Sequence, residues 1–136
     1  MTNFSFLDVN KAVAKFPEHA DTMLVDCYLS DAPECSSRVF RLYSHLPKHY
    51  HKQCSEHLYL LKGKVKFYIE DEEPRELHPG QMVTFHKNVV HGIESVGDEP
   101  TVILSFDTPR REPSDVHFVN PEETKGIKFV SHIELD

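Results

Sequence analysis

The sequence predicts a single all-β domain, an antiparallel sandwich or small barrel, with one short helix at its N-terminus. Three observations favour this fold class. The chain has 136 residues, which is enough for one hydrophobic core and too few for two. After residue 21, apolar side chains recur with a period of two, as they do in strands with one buried face. Turn residues interrupt these segments about every 8–12 residues, the spacing of sandwiches and barrels.

The first predicted element is the helix. Val9, Val13 and Phe16 recur at the spacing of one helix face. Asp8 in front of them is a suitable N-cap, and Pro17 behind them stops the helix. We therefore expect one short helix ahead of the strands.

The elements that follow are predicted as strands. The two central strands flank Lys62-Gly63 and are expected to pair with each other around this turn. In the second of them, Val65, Phe67 and Ile69 share one face. The predicted strands cover residues 22–30, 37–44, 56–61, 64–70, 81–85, 90–96, 101–107 and 126–135.

The rest of the chain is organised around these strands. Residues 70–74 are predicted as a polar loop, and residues 108–125, which contain three prolines and several charges, as an extended surface segment. The last strand is expected to pair either with the parent sheet or with a second subunit. We expect one domain, with residues 38–106 as the barrel core, residues 1–37 before it and residues 107–136 as a C-terminal extension.

Composition argues against two classes of partner. Lys and Arg number 15 against 22 Asp and Glu, a net charge of -7, whereas a nucleic-acid surface needs clustered positive charge. No apolar run approaches the ~20 residues that span a bilayer. The N-terminus lacks the basic and apolar segments of a secretory signal, so a cytoplasmic location is expected. Cys27, Cys35 and Cys54 have no CxxC spacing and are expected to be small packing residues.

Histidine is the compositional outlier, with 10 residues in 136. Imidazole is the commonest transition-metal ligand in proteins, so clustered histidines indicate a metal site. Seven of the ten lie close together in the sequence: His45, His49, His51, His57, His78, His86 and His91.

The candidate ligands are His49, His51, Glu56 and His91. Side chains two apart on a strand point to the same face, so His49 and His51 can address one point. The four residues before Glu56 are long enough to reverse the chain, which would bring Glu56 onto the neighbouring antiparallel strand. His91 is the best placed fourth ligand from another strand. Three imidazoles and one carboxylate suit Fe(II), Mn(II), Ni(II), Cu(II) or Zn(II), and the net positive centre would attract an anionic oxygen.

At these residues the sequence resembles the cupin superfamily of small β-barrels. The first cupin motif is HxH, three or four residues, Glu, six residues and Gly. It stands here in full, as His49-Tyr50-His51, then four residues, Glu56, then six residues and Gly63.

The second cupin motif is Gly, five residues, PxG, two residues, His, three residues and Asn. It begins here at Gly80, and His86-Lys87-Asn88 stands where PxG is usual. His91 keeps the ligand position, while Ser95 replaces the last Asn. Asn88 tolerates the left-handed conformation that Gly normally supplies, so we expect the turn to survive.

The resemblance implies a cupin-type double-stranded β-helix, a jelly-roll-like barrel, with one divalent metal ion. It implies a metal-dependent enzyme acting on a small oxygen-bearing metabolite, of the dioxygenase type or of the isomerase, lyase or decarboxylase type. The alternative is a non-catalytic module that binds or senses a metal or a small molecule. Sensing cupins are commonly fused to a DNA-binding domain, and no helix-turn-helix accompanies this barrel. By analogy with other small cupins, a homodimer with a small anionic or hydroxylated ligand is expected.

Two residues are candidates for proton transfer at such a site. His86 lies in the turn that leads to His91 and is either an acid–base group at the barrel mouth or a solvated loop residue. Tyr68 would serve the same purpose if it faced inward. His45 is either a partner of a ligand or an ordinary strand residue. His57 follows Glu56 and should point to the opposite face.

The remaining candidates concern the walls of the site. Leu58 and Leu60 share the face of Glu56 and are expected to line the cavity. Arg38 and Arg41 fall on opposite faces of one strand, and either of them could bind a substrate carboxylate or lie solvated at the surface.

Overall fold

The computed structural model describes residues 3–135, which form two packed β-sheets preceded by one helix. The predicted all-β class is therefore confirmed. The elements are α1 (Val9–Ala14), β1 (Thr22–Ala32), β2 (Cys35–Leu42), β3 (Leu46–Tyr50), β4 (Ser55–Lys62), β5 (Val65–Ile69), β6 (Arg75–Leu77), β7 (Met82–Phe85), β8 (His91–Ser95), β9 (Thr101–Thr108), β10 (His117–Phe118), a 3-10 turn (Pro121–Thr124) and β11 (Lys128–His132).

The strands divide between a six-stranded and a five-stranded sheet. The six-stranded sheet has the order β11-β1-β2-β9-β4-β7, and the five-stranded sheet has the order β10-β3-β8-β5-β6. Neighbouring strands are antiparallel, except that β11 runs parallel to β1. The last strand thus joins its own sheet, which is one of the two predicted alternatives.

Helix α1 begins as predicted and covers the outer face of the six-stranded sheet. The Asp8 side chain accepts a hydrogen bond from the Asn10 amide at 3.0 Å, the contact of an N-cap. Ala12 and Phe16 pack in a cluster that includes Cys27, which is fully buried. The predicted packing role of Cys27 follows from this burial, and all three cysteines are free thiols.

The predicted pairing of the two central strands is wrong. β4 pairs with β9 and β7, whereas β5 pairs with β8 and β6, so Lys62-Gly63 carries the chain from one sheet to the other. Gly63 has a φ of 88°, and a Cβ there would lie 2.7 Å from the Pro100 carbonyl oxygen. Glycine is needed at this sheet crossing because the chain passes too close to its neighbour for any side chain.

The C-terminal extension contributes more to the interior than its sequence predicts. Within the predicted surface segment, β10 pairs with β3, and Arg111 and Asp115 are buried. The surface prediction is wrong for these residues because each has a partner inside the fold: Arg111 Nε lies 3.5 Å from Asp107 Oδ2, and the Asp115 carboxylate accepts the amides of Lys52 and Gln53. The short strands β3, β6 and β10 are not among the predicted strand ranges.

The core lies between the two sheets. Inward side chains of both sheets form one apolar cluster that includes Leu58, Leu60, Phe67, Ile93 and Ile103. Leu58 and Leu60 face inward as predicted, but they pack in this core and do not line the cavity next to the ligands. No helix within residues 3–135 has the length and apolar character needed to cross a membrane.

Candidate metal centre

The structure brings His49, His51, Glu56 and His91 together inside the sandwich. One ligand atom from each lies within 4.8 Å of all the others. Their side chains are 2%, 4%, 6% and 0% exposed, in that order. Four polar side chains buried at one point need a common partner, because burying unpaired polar groups is costly.

The two sheets share the ligands. His49 on β3 and His91 on β8 are register partners in the five-stranded sheet, and His51 follows directly after β3. Glu56 lies on β4, which belongs to the six-stranded sheet. The prediction that Glu56 opens the strand next to His49 is therefore wrong. Its carboxylate reaches the imidazoles across the sandwich, and the cluster joins the two sheets.

Backbone carbonyls fix the tautomer of all three histidines. A carbonyl oxygen only accepts hydrogen bonds, so each Nδ1 carries a proton, and in the neutral imidazole, the form that binds a metal, each Nε2 presents a lone pair. This is the usual way in which a protein orients imidazoles toward a metal ion. The acceptors for His49, His51 and His91 are the carbonyl oxygens of Pro47, Asp115 and Val89, at 2.7, 2.7 and 2.9 Å.

The lone pairs converge on the Glu56 carboxylate. Nε2 of His91 lies 3.1 Å and Nε2 of His51 3.5 Å from the same oxygen, Oε1. A lone pair facing an anionic oxygen is repulsive unless a cation lies between them. His51 Nε2 is buried and has no hydrogen-bond partner among the described residues. The donor set therefore fits a divalent transition metal ion.

Burial and mutual contact shift the pKa values of these groups. Burial, together with the nearby His91, lowers the pKa of His49 to about 3, so this imidazole is neutral at physiological pH. Burial would raise the pKa of Glu56, but contacts with His51 and His91 outweigh it and hold the pKa well below its ordinary value. Burial opposes protonation of His51, yet the adjacent Glu56 raises its pKa. The carboxylate is thus ionised and ready to bind a cation.

Asp115 holds the loop that carries His51. Its carboxylate accepts hydrogen bonds from the amides of Lys52 at 2.8 Å and Gln53 at 2.9 Å. Its backbone carbonyl also accepts the Nδ1 proton of His51. The sequence analysis missed this residue because it lies 64 positions from His51, within a segment predicted to be at the surface.

A second support comes from the turn before β8. Asn88 has a φ of 71°, the left-handed conformation predicted for it. Its amide donates a hydrogen bond to the His51 carbonyl at 2.8 Å. The altered second motif therefore keeps the turn that positions His91.

Aromatic rings cover the imidazoles. The Phe85 ring stacks on His91 with centroids 4.0 Å apart and planes inclined by 4°. Phe118 and Phe129 lie 5.6 and 6.5 Å from the His49 ring. An apolar cover of this kind limits water and strengthens electrostatic interactions within the site.

Arg38 is buried beside the cluster. It is 3% exposed, and its Nη1 donates a hydrogen bond to Asp26 Oδ2 at 3.1 Å. Its Nη2 and Nε lie 3.8 Å from Glu56 Oε2 and Asp107 Oδ2. Arg41, on the opposite face as predicted, lies over the Tyr43 ring. Asp26 and Asp107, which face Arg38 from the two neighbouring strands, were missed by the sequence analysis.

The structure does not bring the two predicted proton-transfer residues to the ligands. Tyr68 lies on the outer face of the five-stranded sheet, where its hydroxyl donates a hydrogen bond to Glu94 Oε1 at 2.9 Å. His86 is exposed, with Nδ1 3.5 Å from the Ser55 hydroxyl.

Two other histidines also lie outside the cluster. His57 points to the outer face, as predicted, and bonds to the hydroxyls of Thr84 and Thr108 at 3.1 and 2.9 Å. His45 is exposed and packs edge-on against Tyr68, so it does not contact a ligand.

Comparisons with known proteins support the assignment of the fold. A family model for the cupin domain, Cupin_2, matches residues 44–107, the part of the chain that holds all four candidate ligands. No curated protein matches the chain. Many solved structures do.

Three of these structures illustrate the likeness. An uncharacterized conserved protein with a double-stranded β-helix domain from Klebsiella pneumoniae has a TM-score of 0.67 at 14% identity, covering 79% of this chain and 94% of that one. KdgF from Halomonas sp. has a TM-score of 0.57 at 18% identity, with coverages of 62% and 77%. The DMSP lyase DddQ from Ruegeria pomeroyi has a TM-score of 0.56 at 23% identity, with coverages of 67% and 46%.

At these identities the solved structures show the fold alone. The range matched by the family model, residues 44–107, contains both ligand motifs. The architecture predicted from the resemblance is thus confirmed. Residues 44–107 match the cupin domain, and the chain has the double-stranded β-helix fold.

Proposed function

We propose that this protein is a metal-dependent enzyme that acts on a small oxygen-bearing metabolite. One observation carries the proposal: three imidazoles with fixed Nδ1 protons direct buried lone pairs at one ionised carboxylate. His49, His51, Glu56 and His91 would hold one divalent ion, either iron, manganese, nickel, copper or zinc.

The chemistry follows from this donor set. When bound, such an ion supplies a Lewis acid or a redox centre for an oxygen-bearing ligand. The protein itself supplies one anionic and three neutral ligands, which leave a net positive charge to attract an anionic oxygen. Phe85 and Phe129 exclude water from the imidazoles. His86, exposed in the turn next to Phe85, remains our candidate for moving a proton at the rim.

The reaction class is a dioxygenase or an isomerase, lyase or decarboxylase. The DMSP lyase DddQ shares the fold and is a lyase by name, so this architecture supports lyase chemistry in at least one protein. The competing function is a module that binds a metal or a small molecule without turnover. The outward position of Tyr68 favours this second candidate, because it removes one predicted proton-transfer group from the site.

Metal content and turnover separate these functions. Protein purified without added metal should contain one transition metal ion per chain, measured by elemental analysis, or should take up one on reconstitution. Metal-loaded protein should then turn over at least one member of a panel of small hydroxy acids, oxo acids and enolisable sugars, tested with and without oxygen. Loaded protein without turnover would favour the binding module. A content below about a tenth of an equivalent, with no uptake, would contradict the metal-dependent enzyme and the metal-binding module alike.

The homodimer also remains a proposal. The outer face of the six-stranded sheet beyond α1 exposes Tyr59, Met82 and Phe106. Apolar side chains grouped on a sheet face are typical of a contact surface between subunits.

A further inference from the structure

A cavity of about 390 Å³ lies beside the candidate metal centre, between β1, β2, β11 and the segment that follows β9. This volume is within the range of small-molecule sites. Two of its lining side chains also contact metal ligands. Arg38 lies 3.8 Å from the Glu56 carboxylate, and the Phe129 ring packs 6.5 Å from the His49 ring. The cavity and the metal centre therefore share a wall.

Two buried arginines line this cavity. Arg38 and Arg111 are 3% and 6% exposed. Arg38 Nε is buried without a hydrogen-bond partner among residues 3–135, and Arg111 Nε reaches Asp107 only at 3.5 Å. A buried guanidinium with an unfilled donor is costly, and its planar edge matches a carboxylate. The guanidinium groups of Arg38 and Arg111 thus have room for a further hydrogen-bond acceptor, which a ligand in the cavity could provide.

Two acidic side chains lie against these arginines, and of their four oxygens only Asp107 Oδ1 has no hydrogen-bond or ion-pair partner among the described residues. The Asp26 carboxylate lies between two side chains. Its Oδ2 accepts a hydrogen bond from Arg38 Nη1, and its Oδ1 contacts His132 Nδ1. Asp107 Oδ2 lies between the two arginines, 3.8 Å from Arg38 and 3.5 Å from Arg111. These acids hold the guanidinium groups in place.

The formal charge of this region depends on the metal. Without it, two arginines face three carboxylates, those of Asp26, Glu56 and Asp107, so these five groups carry a formal net charge of one negative unit. A divalent ion on Glu56 changes the balance to one net positive charge. One monoanion in the cavity would neutralise it, so metal and anion should bind together.

The C-terminal extension forms one wall of the cavity, with three apolar side chains beside His132 and Glu134. Phe129, Val130 and Ile133 of the C-terminal extension line it, while Arg110 lies near its opening. A ligand that satisfied both walls would have one anionic end and an apolar body.

We propose that this cavity is the substrate site and that the substrate is a small carboxylic acid. Arg38 and Arg111 bind its carboxylate, and its apolar body lies against Phe129, Val130 and Ile133. The inference rests on the proposed function, because the metal ion supplies the charge that favours the anion. Arg38 and Arg41 were both predicted as candidates for binding a substrate carboxylate. The proposal assigns this role to Arg38 and not to Arg41.

The test uses the zinc-loaded protein, residues 1–136, and the probe 4-bromobenzoate, with 4-bromobenzamide as its neutral counterpart. Calorimetry should show the acid binding at least about tenfold more tightly than the amide. In crystals, anomalous scattering should place zinc at the four ligands and bromine beside Phe129, with the carboxylate at Arg38 or Arg111.

Substitutions separate this site from direct binding to zinc. Arg38→Met should weaken binding of the acid at least about tenfold, whereas Arg41→Met, on the opposite face of the same strand, should not change it. Because Arg38→Met leaves buried carboxylates unpaired, Arg111→Lys provides a second variant that keeps the charge and should weaken binding less than Arg111→Met.

The outcomes distinguish the two proposals. If zinc is bound but bromine lies elsewhere, or if the acid binds zinc with an affinity that Arg38 and Arg111 variants leave unchanged, the carboxylate site is overturned and the metal site stands. If the protein takes up no zinc, the proposed function is overturned, and the inference that rests on it is overturned with it.

Discussion

The interior of the sandwich has two halves with opposite chemistry. The ligand half contains the four candidate ligands and the Arg38 network, and the apolar half contains the aliphatic cluster around Leu58. Each inward row of side chains changes from charged or polar to apolar in the same direction: Glu56 to Leu58, His91 to Ile93, Arg38 to Phe40, and Asp107 to Ile103.

This difference separates stability from binding along the same strands. Apolar burial stabilises the fold by about 25 cal/mol per Å². Buried ionic groups contribute little net stability, because desolvation offsets their attraction. The ligand half thus contributes less to the stability of the fold than apolar side chains would at the same positions, because it holds charged groups at one point.

The largest expected effect is the loss of metal from the ligand half. His51→Ala removes a convergent Nε2 and the hydrogen bond to the Asp115 carbonyl. Metal content should fall from one equivalent to below about a tenth, measured by elemental analysis of folded protein. His57→Ala, on the outer face, should keep the full content. Equal metal contents in both variants would contradict the assigned ligand set.

The apolar half should respond in stability instead. Leu58→Ala removes a fully buried side chain, so the free energy of unfolding should fall by about 2–5 kcal/mol in urea titrations. Leu61→Ala, at a position 36% exposed, should lower it by less than about 0.5 kcal/mol. Folded Leu58→Ala protein should still bind one metal ion. Loss of metal from it would show that the two halves are not separable.

A smaller effect is expected where the C-terminal extension supports the ligand half. Asp115→Ala removes the carboxylate that accepts the Lys52 and Gln53 amides, so His51 is held less firmly. Metal affinity should fall by about 10–100-fold in competition with a chelator. Glu122→Ala, at an exposed position of the same extension, is the matched control. An unchanged affinity for Asp115→Ala would mean that the loop is held by other contacts.

The pH dependence of the metal-free protein gives the smallest effect. Burial lowers the pKa of His49 from 6.5 to about 3. Between these values the unfolded chain binds a proton that the folded chain does not, so stability falls as pH decreases below 6.5. The contribution is at most about 1.4 kcal/mol per pH unit. The pKa of His51 is raised, so below pH 6.5 this imidazole is protonated in the folded and in the unfolded chain. It therefore does not change how stability depends on pH in this range.

Urea titrations at several pH values check this sign. His49→Asn should lose part of the decrease in stability between pH 6.5 and 5, and His78→Asn, at an exposed position, should retain it. If both variants follow the wild-type curve, His49 is not the acid-sensitive group of the ligand half.

Much of this architecture could be predicted from local pattern. Alternation placed Leu58 and Leu60 inward and His57 outward, because successive side chains of a strand point to opposite faces. Spacing selected the four candidate ligands, and the structure brings them together. Asn88 could be assigned a left-handed turn because few other side chains adopt it.

Sheet membership could not be predicted in the same way. A turn such as Lys62-Gly63 can close a hairpin or carry the chain between sheets, and only the approach of Pro100 to Gly63 shows which occurs here. Asp115 and Asp107 carry no local signal, since a buried and an exposed aspartate look alike in a sequence. Their roles depend on partners that lie far away along the chain.

The sequence by itself determined the β fold, the faces of its strands and the four side chains that converge, because alternation and motif spacing are local properties. The tertiary structure alone decided that Glu56 faces the imidazoles from the opposite sheet and that Arg38 is buried beside it. It also decided that the C-terminal extension closes both the ligand loop and the neighbouring cavity. These arrangements depend on which distant strands pack together, and the free energy that selects them comes from the whole core.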